Sequence, residues 1–390
     1  MVSFTPMKTD DLLTRAVSDV VPRKLAEEKL KSGKPIRIYW GIDPTGGKLH
    51  IGHAVPLRKF QAFQEAGHEM IFLIGSFTAM IGDPSGQDTM REPLKKEEVE
   101  ENLKTYTEQA GKIVDFKKAK IVYNHEWLEK LDFKDIVKLA GNFTVQQMLD
   151  RDMFQERIKQ EKPIGLHEFM YPLMVGYDSV MLDVDCEMGG NDQFFNMLCG
   201  RTLQTAFGKK DKFVLTTKLL EGTDGRKMSK TYNNCIYLED EPNDMYGKLM
   251  SVKDELMENY YECCTDIPMD EVKKILKGNP KEAKQRLARE IVTLYHSESD
   301  ATKAEEEFGR VFGKEKGLPD DVPEAKVKKG TALIDVIADN GLTDSKSDAR
   351  RVIEQGGVRI DDKTIDSIEA TAEAGILKVG KRKFLKISLS

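Results

Sequence analysis

Two histidines stand three residues apart in His50-Ile51-Gly52-His53, and two lysines stand three apart in Gly225-Arg226-Lys227-Met228-Ser229-Lys230-Thr231. Where a strand gives way to a helix, the first helical N–H groups have no partner and carry a partial positive charge, which suits a phosphate. Gly52 has no Cβ to hold a nucleotide off the backbone there. Histidines at this point can donate hydrogen bonds to charge developing on an attacked α-phosphate, which stabilises a transition state without a nucleophile. The lysines follow a glycine in a loop-like segment, so they can close on β- and γ-phosphates and open again to release pyrophosphate. Taken singly, the histidines read as capping residues and the lysines as a solvated charge run. Their joint occurrence points to a nucleotide. The chain contains no G-x-x-x-x-G-K-[ST] segment and no G-x-G, so neither a P-loop nor a dinucleotide fingerprint supplies the phosphate site.

The elements that position these residues follow from hydrophobic periodicity. Ile36 to Trp40 and Met70 to Ile74 are short apolar, strand-like runs, with a helical pattern between them that stops at Gly67. Val55, Leu57, Phe60 and Phe63 suit the buried face of that helix, and Pro56 is expected in or near its first turn. This βαβ pattern predicts a parallel sheet. Helical and loop segments from about Lys95 to Pro163 read as an insertion, after which Met170 to Leu182 and Phe213 to Leu220 are expected to supply the second half of the sheet. Pro242 to Phe312, rich in Lys, Glu and Leu, predicts a helical module. Gly313 to Gly330, with Pro319, Pro323 and charges of both signs, predicts a linker. Beyond it Ser345 can cap a helix running to Gln355, Gly356 and Gly357 end it, and Val358 to Ile360 start a strand before an Asp361/Asp362 turn.

A length of 390 residues predicts two or three domains, and 39% hydrophobic with 32% charged residues is a globular composition. The net charge of −6 argues against a nucleic-acid binder with a wholly basic surface while leaving room for a basic local face. Met1 to Asp10 has no signal-length apolar core, and charges interrupt every later apolar run, so a soluble cytoplasmic protein is expected, with no membrane partner. Five cysteines without a C-x-x-C pair predict neither a disulfide framework nor a structural zinc site.

The histidine and lysine segments, in this order and at this separation, resemble the two signatures of class I aminoacyl-tRNA synthetases. That resemblance implies an α/β fold whose catalytic domain is a doubly wound, Rossmann-like parallel sheet. It also implies ATP as substrate with Mg²⁺, an aminoacyl-adenylate, and transfer to the 3′ end of a tRNA. The catalytic residues would be Thr45, His50, His53, Lys227 and Lys230. No metal-ligand cluster stands in the sequence, so no metal-binding residue is expected.

Between the signatures lie Ile81-Gly82-Asp83-Pro84-Ser85-Gly86, Tyr171-Pro172-Leu173-Met174-Val175-Gly176-Tyr177-Asp178 and Gly189-Gly190-Asn191-Asp192-Gln193. These look like the bacterial tyrosyl-tRNA synthetases. By that resemblance Tyr39 and Asp178 bind the phenol of L-tyrosine, Asp83 and Tyr171 its ammonium group, and Gln193 its carboxyl, with Asn124 in the same pocket. Asp43, Gly190 and Asp192 hold the adenosine and ribose, and Gly41, Gly52, Leu220, Met228 and Ser229 complete the ATP site. A carboxylate can accept the phenolic hydrogen, and a buried acceptor left empty is expensive, so phenylalanine should be rejected. Two positions depart from the family: Val175 stands where a glutamine is usual, which leaves the ammonium to Asp83 with Tyr171 or to a bound water, and Trp40 is bulkier than the usual residue beside the ribose.

Thr331 to Ser390 resembles an S4-type RNA-binding domain through Ser345-Lys346-Ser347-Asp348-Ala349-Arg350-Arg351 and the following Gly-Gly-Val-Arg-Ile. Lys346, Arg350 and Arg351 at a helix start, with Lys381 and Arg382 in a basic tail, would meet a phosphate backbone. The expected organisation is a catalytic domain over 1–234 with its insertion at about 95–163, a helical anticodon-binding domain over 235–320, a linker over 321–330 and an S4-like α+β domain over 331–390. The resemblance further implies a homodimer acting on tRNA(Tyr). A tryptophanyl enzyme and a noncatalytic RNA-binding paralogue remain as rivals.

Overall fold

The computed structural model describes residues 9–44, 48–85, 96–228, 232–312, 322–361, 363–380 and 383–389. The chain divides into two compact units, one of Met1–Glu241 with Lys248–Glu298, the other of Pro242–Gly247 with Ser299–Ser390.

The first unit is built on a six-stranded sheet of β1 (Val17–Val21), β2 (Arg37–Ile42), β3 (Glu69–Ile74), β4 (Lys120–Tyr123), β5 (Cys186–Gly190) and β6 (Phe213–Thr217). Their order is β1-β6-β5-β2-β3-β4, parallel except for β1, which runs antiparallel along β6. The chain therefore winds outward from β2 in one direction through β3 and β4, then returns to lay β5 and β6 on the other side. This is the doubly wound arrangement, and ligands bind it outside the carboxyl ends of the strands where the order reverses, here between β2 and β5. Ile38, Tyr39 and Trp40 are all buried, as a central parallel strand covered on both faces requires.

The βαβ expectation holds. Helix α1 (Ile51–Glu65) joins β2 to β3, and Val55, Leu57, Phe60 and Phe63 form its buried face. Pro56, however, is the sixth residue of α1, beyond the first turn, so it can give no hydrogen bond to the Gly52 carbonyl four residues back. Three other expectations are corrected. Met170 to Leu182 is not a strand but helix α2 (Met170–Leu182), paired with α3 (Phe194–Ala206); a largely apolar, mostly buried segment cannot be told from a strand by its period. The stretch expected as an insertion supplies β4, the sheet's edge beside β3. β1 was not expected at all, since its Ser18 and Asp19 break the apolar run.

After the helix Pro242–Met250 come the helices Met257–Cys264, Met269–Leu276, Pro280–Tyr295 and Glu298–Phe312. Of these last four, the first three belong with the sheet unit rather than forming a separate body. Arg58 pairs with Asp266 at 2.5 Å, Lys218 with Glu262 at 2.7 Å, and the Tyr260 hydroxyl donates to the Glu221 carbonyl at 2.7 Å.

The second unit carries a five-stranded sheet in the order β7-β11-β10-β8-β9, from β7 (Glu324–Val327), β8 (Val358–Ile360), β9 (Lys363–Ile365), β10 (Gly375–Val379) and β11 (Lys383–Leu389). β7 pairs in parallel with β11, so residues expected as linker are an edge strand of this sheet; Pro323, which reads as a loop breaker, sits just before it. Residues 313–321 of the expected linker lie outside the described residues. Helix Lys346–Glu354 begins as expected, with the Ser345 Oγ accepting from the Asp348 N–H at 3.1 Å, and Gly356 ends it at φ +68°.

Candidate active site

A cleft of about 410 Å³ opens at the carboxyl ends of β2 and β5. It is lined from Tyr39 to Asp43 on β2 and its exit, by Glu187 to Gly189 with Asp192 and Gln193 around the end of β5, and by Tyr171, Val175 and Asp178 on α2. The switch point of the sheet thus brings together Tyr39, Gly41, Asp43, His53, Asp83, Asn124, Tyr171, Asp178, Asp192 and Gln193, while His50, Gly52, Gly190, Lys227 and Met228 are not among the lining residues. Leu220 is buried and lines no part of the cleft. Thr45, Ser229, Lys230, Lys381 and Arg382 lie outside the described residues.

Asp178 is 2% exposed and accepts from Trp127 Nε1 at 2.7 Å and from Asn124 Nδ2 at 3.2 Å. Burial pushes its pKa well above the ordinary carboxylate range, and those two donors oppose the shift. Asn124, expected to touch tyrosine, has its groups committed elsewhere: Nδ2 also donates to Thr78 Oγ1 at 3.0 Å, and Oδ1 accepts from the Phe77 N–H at 2.9 Å. It holds Asp178 and also lines the cleft. The Tyr39 hydroxyl lies 3.2 Å from Ser179 Oγ.

Elsewhere in the cleft, the Tyr171 hydroxyl donates to Asp43 Oδ2 at 2.8 Å, and Thr78 Oγ1 donates to Asp43 Oδ1 at 2.7 Å. A Cβ on Gly75 would collide with both Asp43 and Thr78, which accounts for glycine there. Asp83 is held by other partners. It accepts from Gln193 Nε2 at 2.6 Å and from the Ser85 N–H at 2.9 Å. Because the Tyr171 hydrogen is committed to Asp43, its oxygen keeps lone pairs for an ammonium group, which offsets in part the absence of an acceptor at Val175. The Trp40 ring packs edge-to-face on Phe72 with centroids 5.5 Å apart, and the residue also lines the cleft.

The start of α1 is more fully satisfied than the sequence suggests. The His50 N–H donates to His53 Nδ1 at 3.2 Å, the Ile51 N–H to the Ile236 carbonyl at 2.9 Å, and the His53 and Ala54 N–H groups to the His50 carbonyl. The histidine rings stack with centroids 3.8 Å apart. Burial lowers the pKa of His53 to about 4 and, with His53 and Lys227 nearby, that of His50 to about 3. Both are therefore neutral at pH 7, and His53, accepting at Nδ1, carries its hydrogen on Nε2. Gly52 is required by its own neighbours and not only by a nucleotide: a Cβ there would lie 2.9 Å from His50 Nδ1 and 3.3 Å from the Met228 sulfur.

The stem of the lysine loop is a hydrogen-bonded turn. Gly222 N–H donates to the Arg226 carbonyl at 2.7 Å, Gly225 has φ +84°, and Asn234 Nδ2 donates to Asp224 Oδ1 at 2.8 Å and to the Lys227 carbonyl at 3.1 Å. Residues missed by the sequence reading are Trp127, Thr78, Glu187 and Lys48, the last on the cleft wall with its Nζ 5.9 Å from the Tyr237 ring centre. Asn124 and Trp127, three apart at a helix start, could have been read as two donors to one acceptor. Which acceptor they share is set by tertiary structure alone.

The family description "tRNA synthetases class I (W and Y)" matches residues 31–313, and "Tyrosine--tRNA ligase SYY-like C-terminal domain" matches residues 314–386. The chain belongs to the class I aminoacyl-tRNA synthetases. It is 45% identical over 385 residues to a tyrosine–tRNA ligase of Photobacterium profundum, covering 97% of each chain. It is 44% identical over 395 residues to one of Thermotoga maritima, covering 99% of this chain and 98% of that one. Within the class it stands among the tyrosine–tRNA ligases, and its activity is aminoacylation of tRNA(Tyr). The fold is shared with a C-terminally truncated mitochondrial tyrosyl-tRNA synthetase of Aspergillus nidulans, at TM-score 0.63 and 24% identity over 76% of this chain and 91% of that one. It is shared too with the Archaeoglobus fulgidus tyrosyl-tRNA synthetase complexed with L-tyrosine, at TM-score 0.61 and 22% identity over 76% and 98%. Among the described residues no helix is long and apolar enough to cross a membrane.

Proposed function

We propose that the cleft binds L-tyrosine with its phenol between Tyr39 and Asp178 and its ammonium group at Tyr171 and Asp83, while Gln193 orients its carboxyl. The tyrosine carboxylate attacks the α-phosphorus of ATP, the bond from that phosphorus to the pyrophosphate oxygen breaks, and tyrosyl-adenylate and pyrophosphate result. His53 Nε2–H, with His50 beside it, donates to the α-phosphate oxygens as charge builds on them. Lys48 and Lys227, with Lys230 from the signature loop, hold the β- and γ-phosphates. Asp192 and Gly190 take the ribose. Pyrophosphate leaves, the 3′-terminal ribose hydroxyl of tRNA(Tyr) then attacks the tyrosyl carbonyl carbon, the bond from that carbon to the AMP phosphate oxygen breaks, and tyrosyl-tRNA and AMP result.

The observation that carries this reading is Asp178, a buried carboxylate facing the cleft that holds two N–H donors and has room for one more. A phenolic O–H fills that place and a phenyl ring leaves it empty. Tyrosyl-tRNA synthetase is the general example of such discrimination, at roughly 10⁵ against phenylalanine. Asp178→Asn tests the assignment: the tyrosine KM should rise at least about tenfold with little change in the ATP KM, since one buried charge-assisted bond is lost. An unchanged tyrosine KM would remove Asp178 from the pocket.

Mg²⁺ enters this scheme with the phosphates of ATP and not as a resident metal. Among the described residues no three His, Cys, Asp or Glu side chains converge on a cation site, and Asp43 and Asp83 already accept from protein donors. We assign the exposed cations Lys346, Arg350 and Arg351 to the tRNA backbone, together with Lys381 and Arg382. A homodimer is our reading of the sheet unit's surface, where Phe133 is 80% and Leu166 75% exposed, with Val137 and Val145 also open to solvent. Five free, buried thiols suit a reducing compartment, which we take to be the cytoplasm.

A further inference from the structure

Behind Tyr39, inside the layer between the sheet and α2/α3, lies an ion pair that the reaction itself does not use. Lys212, 0% exposed in its side chain, bonds Glu187 and donates to Ser179 Oγ at 2.7 Å. Ser179 Oγ is in turn 3.1 Å from Glu187 Oε2 and 3.2 Å from the Tyr39 hydroxyl. Glu187 sits opposite Tyr39 on the neighbouring strand, and α3 carries Gly200 where a Cβ would strike Ser179, Lys212 and Glu187. A buried Lys–Glu pair is rarely more stabilising than apolar residues of the same size, and conformational specificity is one reason such a pair is kept.

We propose that Lys212, Glu187 and Ser179 form a positioning chain that points the Tyr39 hydroxyl hydrogen into the cleft, and so help determine specificity for a phenol. The inference rests on the assignment of Tyr39 and Asp178 to the phenol. Hydrogen accounting carries it. Lys212 has only donors, so Ser179 Oγ accepts from it, and the single Ser179 hydrogen has two takers, Glu187 and Tyr39. Lys212 neutralises Glu187 and weakens its claim. With Ser179 donating to Tyr39, the Tyr39 hydrogen is left the Val175 carbonyl, at a long 3.5 Å, the Glu187 carboxylate, which Lys212 already engages, or an acceptor in the cleft. A substrate phenol supplies that acceptor while its own hydrogen goes to Asp178. Tyrosine then satisfies a donor and an acceptor at once, and phenylalanine satisfies neither.

Ser179→Ala removes the link and leaves the ion pair in place. In tyrosine-dependent pyrophosphate exchange the tyrosine KM should rise roughly five- to tenfold, the loss of one net hydrogen bond, and the tyrosine-to-phenylalanine ratio should fall by a similar factor. The kcat and the ATP KM should hardly move, which a merely structural role would not produce, while the melting temperature falls because the buried Lys212 ammonium loses an acceptor. Ser179→Cys, whose S–H is a weak donor, carries the same test should the alanine variant fold poorly. Tyr39→Phe with Ser179→Ala should match Tyr39→Phe alone, because the chain acts only through that hydroxyl. An unchanged tyrosine KM and ratio in both Ser179 variants, with Tyr39→Phe impaired, would overturn the chain and spare the phenol assignment. Loss of neither in Tyr39→Phe would overturn the assignment itself.

Discussion

The carboxylates of the cleft and the cations of the helix Lys346–Glu354 in the second unit are held by opposite physics. In the cleft, Asp178, Asp43 and Asp83 are each held by two protein donors, and the recognising groups are buried or half-buried. On the helix, Lys346 pairs with Asp335 at 2.9 Å and Arg351 with Asp348 at 2.8 Å, all in water-exposed pairs that contribute little and can be exchanged for phosphate. Groups fixed before the ligand arrives discriminate a single hydroxyl. Groups that stay solvated give affinity that depends on salt and reads shape more than sequence.

The largest effect expected on this contrast is at the phosphate end of the cleft. His53→Ala should lower kcat for adenylate formation by about 10²- to 10³-fold, the loss of one preorganised donor, with a small change in tyrosine KM. A fall confined to KM would make His53 a binding residue and nothing more. Next, Lys346, Arg350 and Arg351 changed together to alanine should weaken tRNA charging about tenfold or more at physiological salt. They should also flatten its log–log salt dependence by about 0.7–0.9 per lost phosphate contact. Pyrophosphate exchange should be untouched, and equal loss of both activities would erase the division between the regions.

The smallest effect is in pH. The pKa of Asp178 is raised, so as pH falls it takes up a proton before an ordinary carboxylate would, and the tyrosine KM should climb from that point downward. His50 and His53, lowered to about 3 and about 4, stay neutral across the working range, so kcat should show no inflection near 6.5. An inflection there would mean that a charged histidine takes part.

What the sequence made legible follows the same line. The βαβ unit was readable because Ile36 to Trp40, the α1 face and Met70 to Ile74 each have a local period, and the Ser345 cap is a local signal as well. Met170 to Leu182 was not, since a largely apolar, mostly buried helix has no polar face to mark its turn. β7 was hidden by flanking charge and Pro323, because an edge strand owes its pairing to β11 some sixty residues away. In the cleft, residue types were legible and partners were not: Asn124 donates to a carboxylate at 178, and Tyr171 to one at 43. Such pairings are made by the crossing of the sheet and exist nowhere along the chain.

The central claim is that the cleft activates tyrosine by reading its phenol, and tyrosine-dependent exchange of labelled pyrophosphate into ATP tests it most directly. Tryptophan, phenylalanine and buffer run in parallel, and no tRNA is needed. Exchange with tyrosine alone is the predicted result. Exchange driven as well by phenylalanine or tryptophan, or by no amino acid with folded protein, would contradict it.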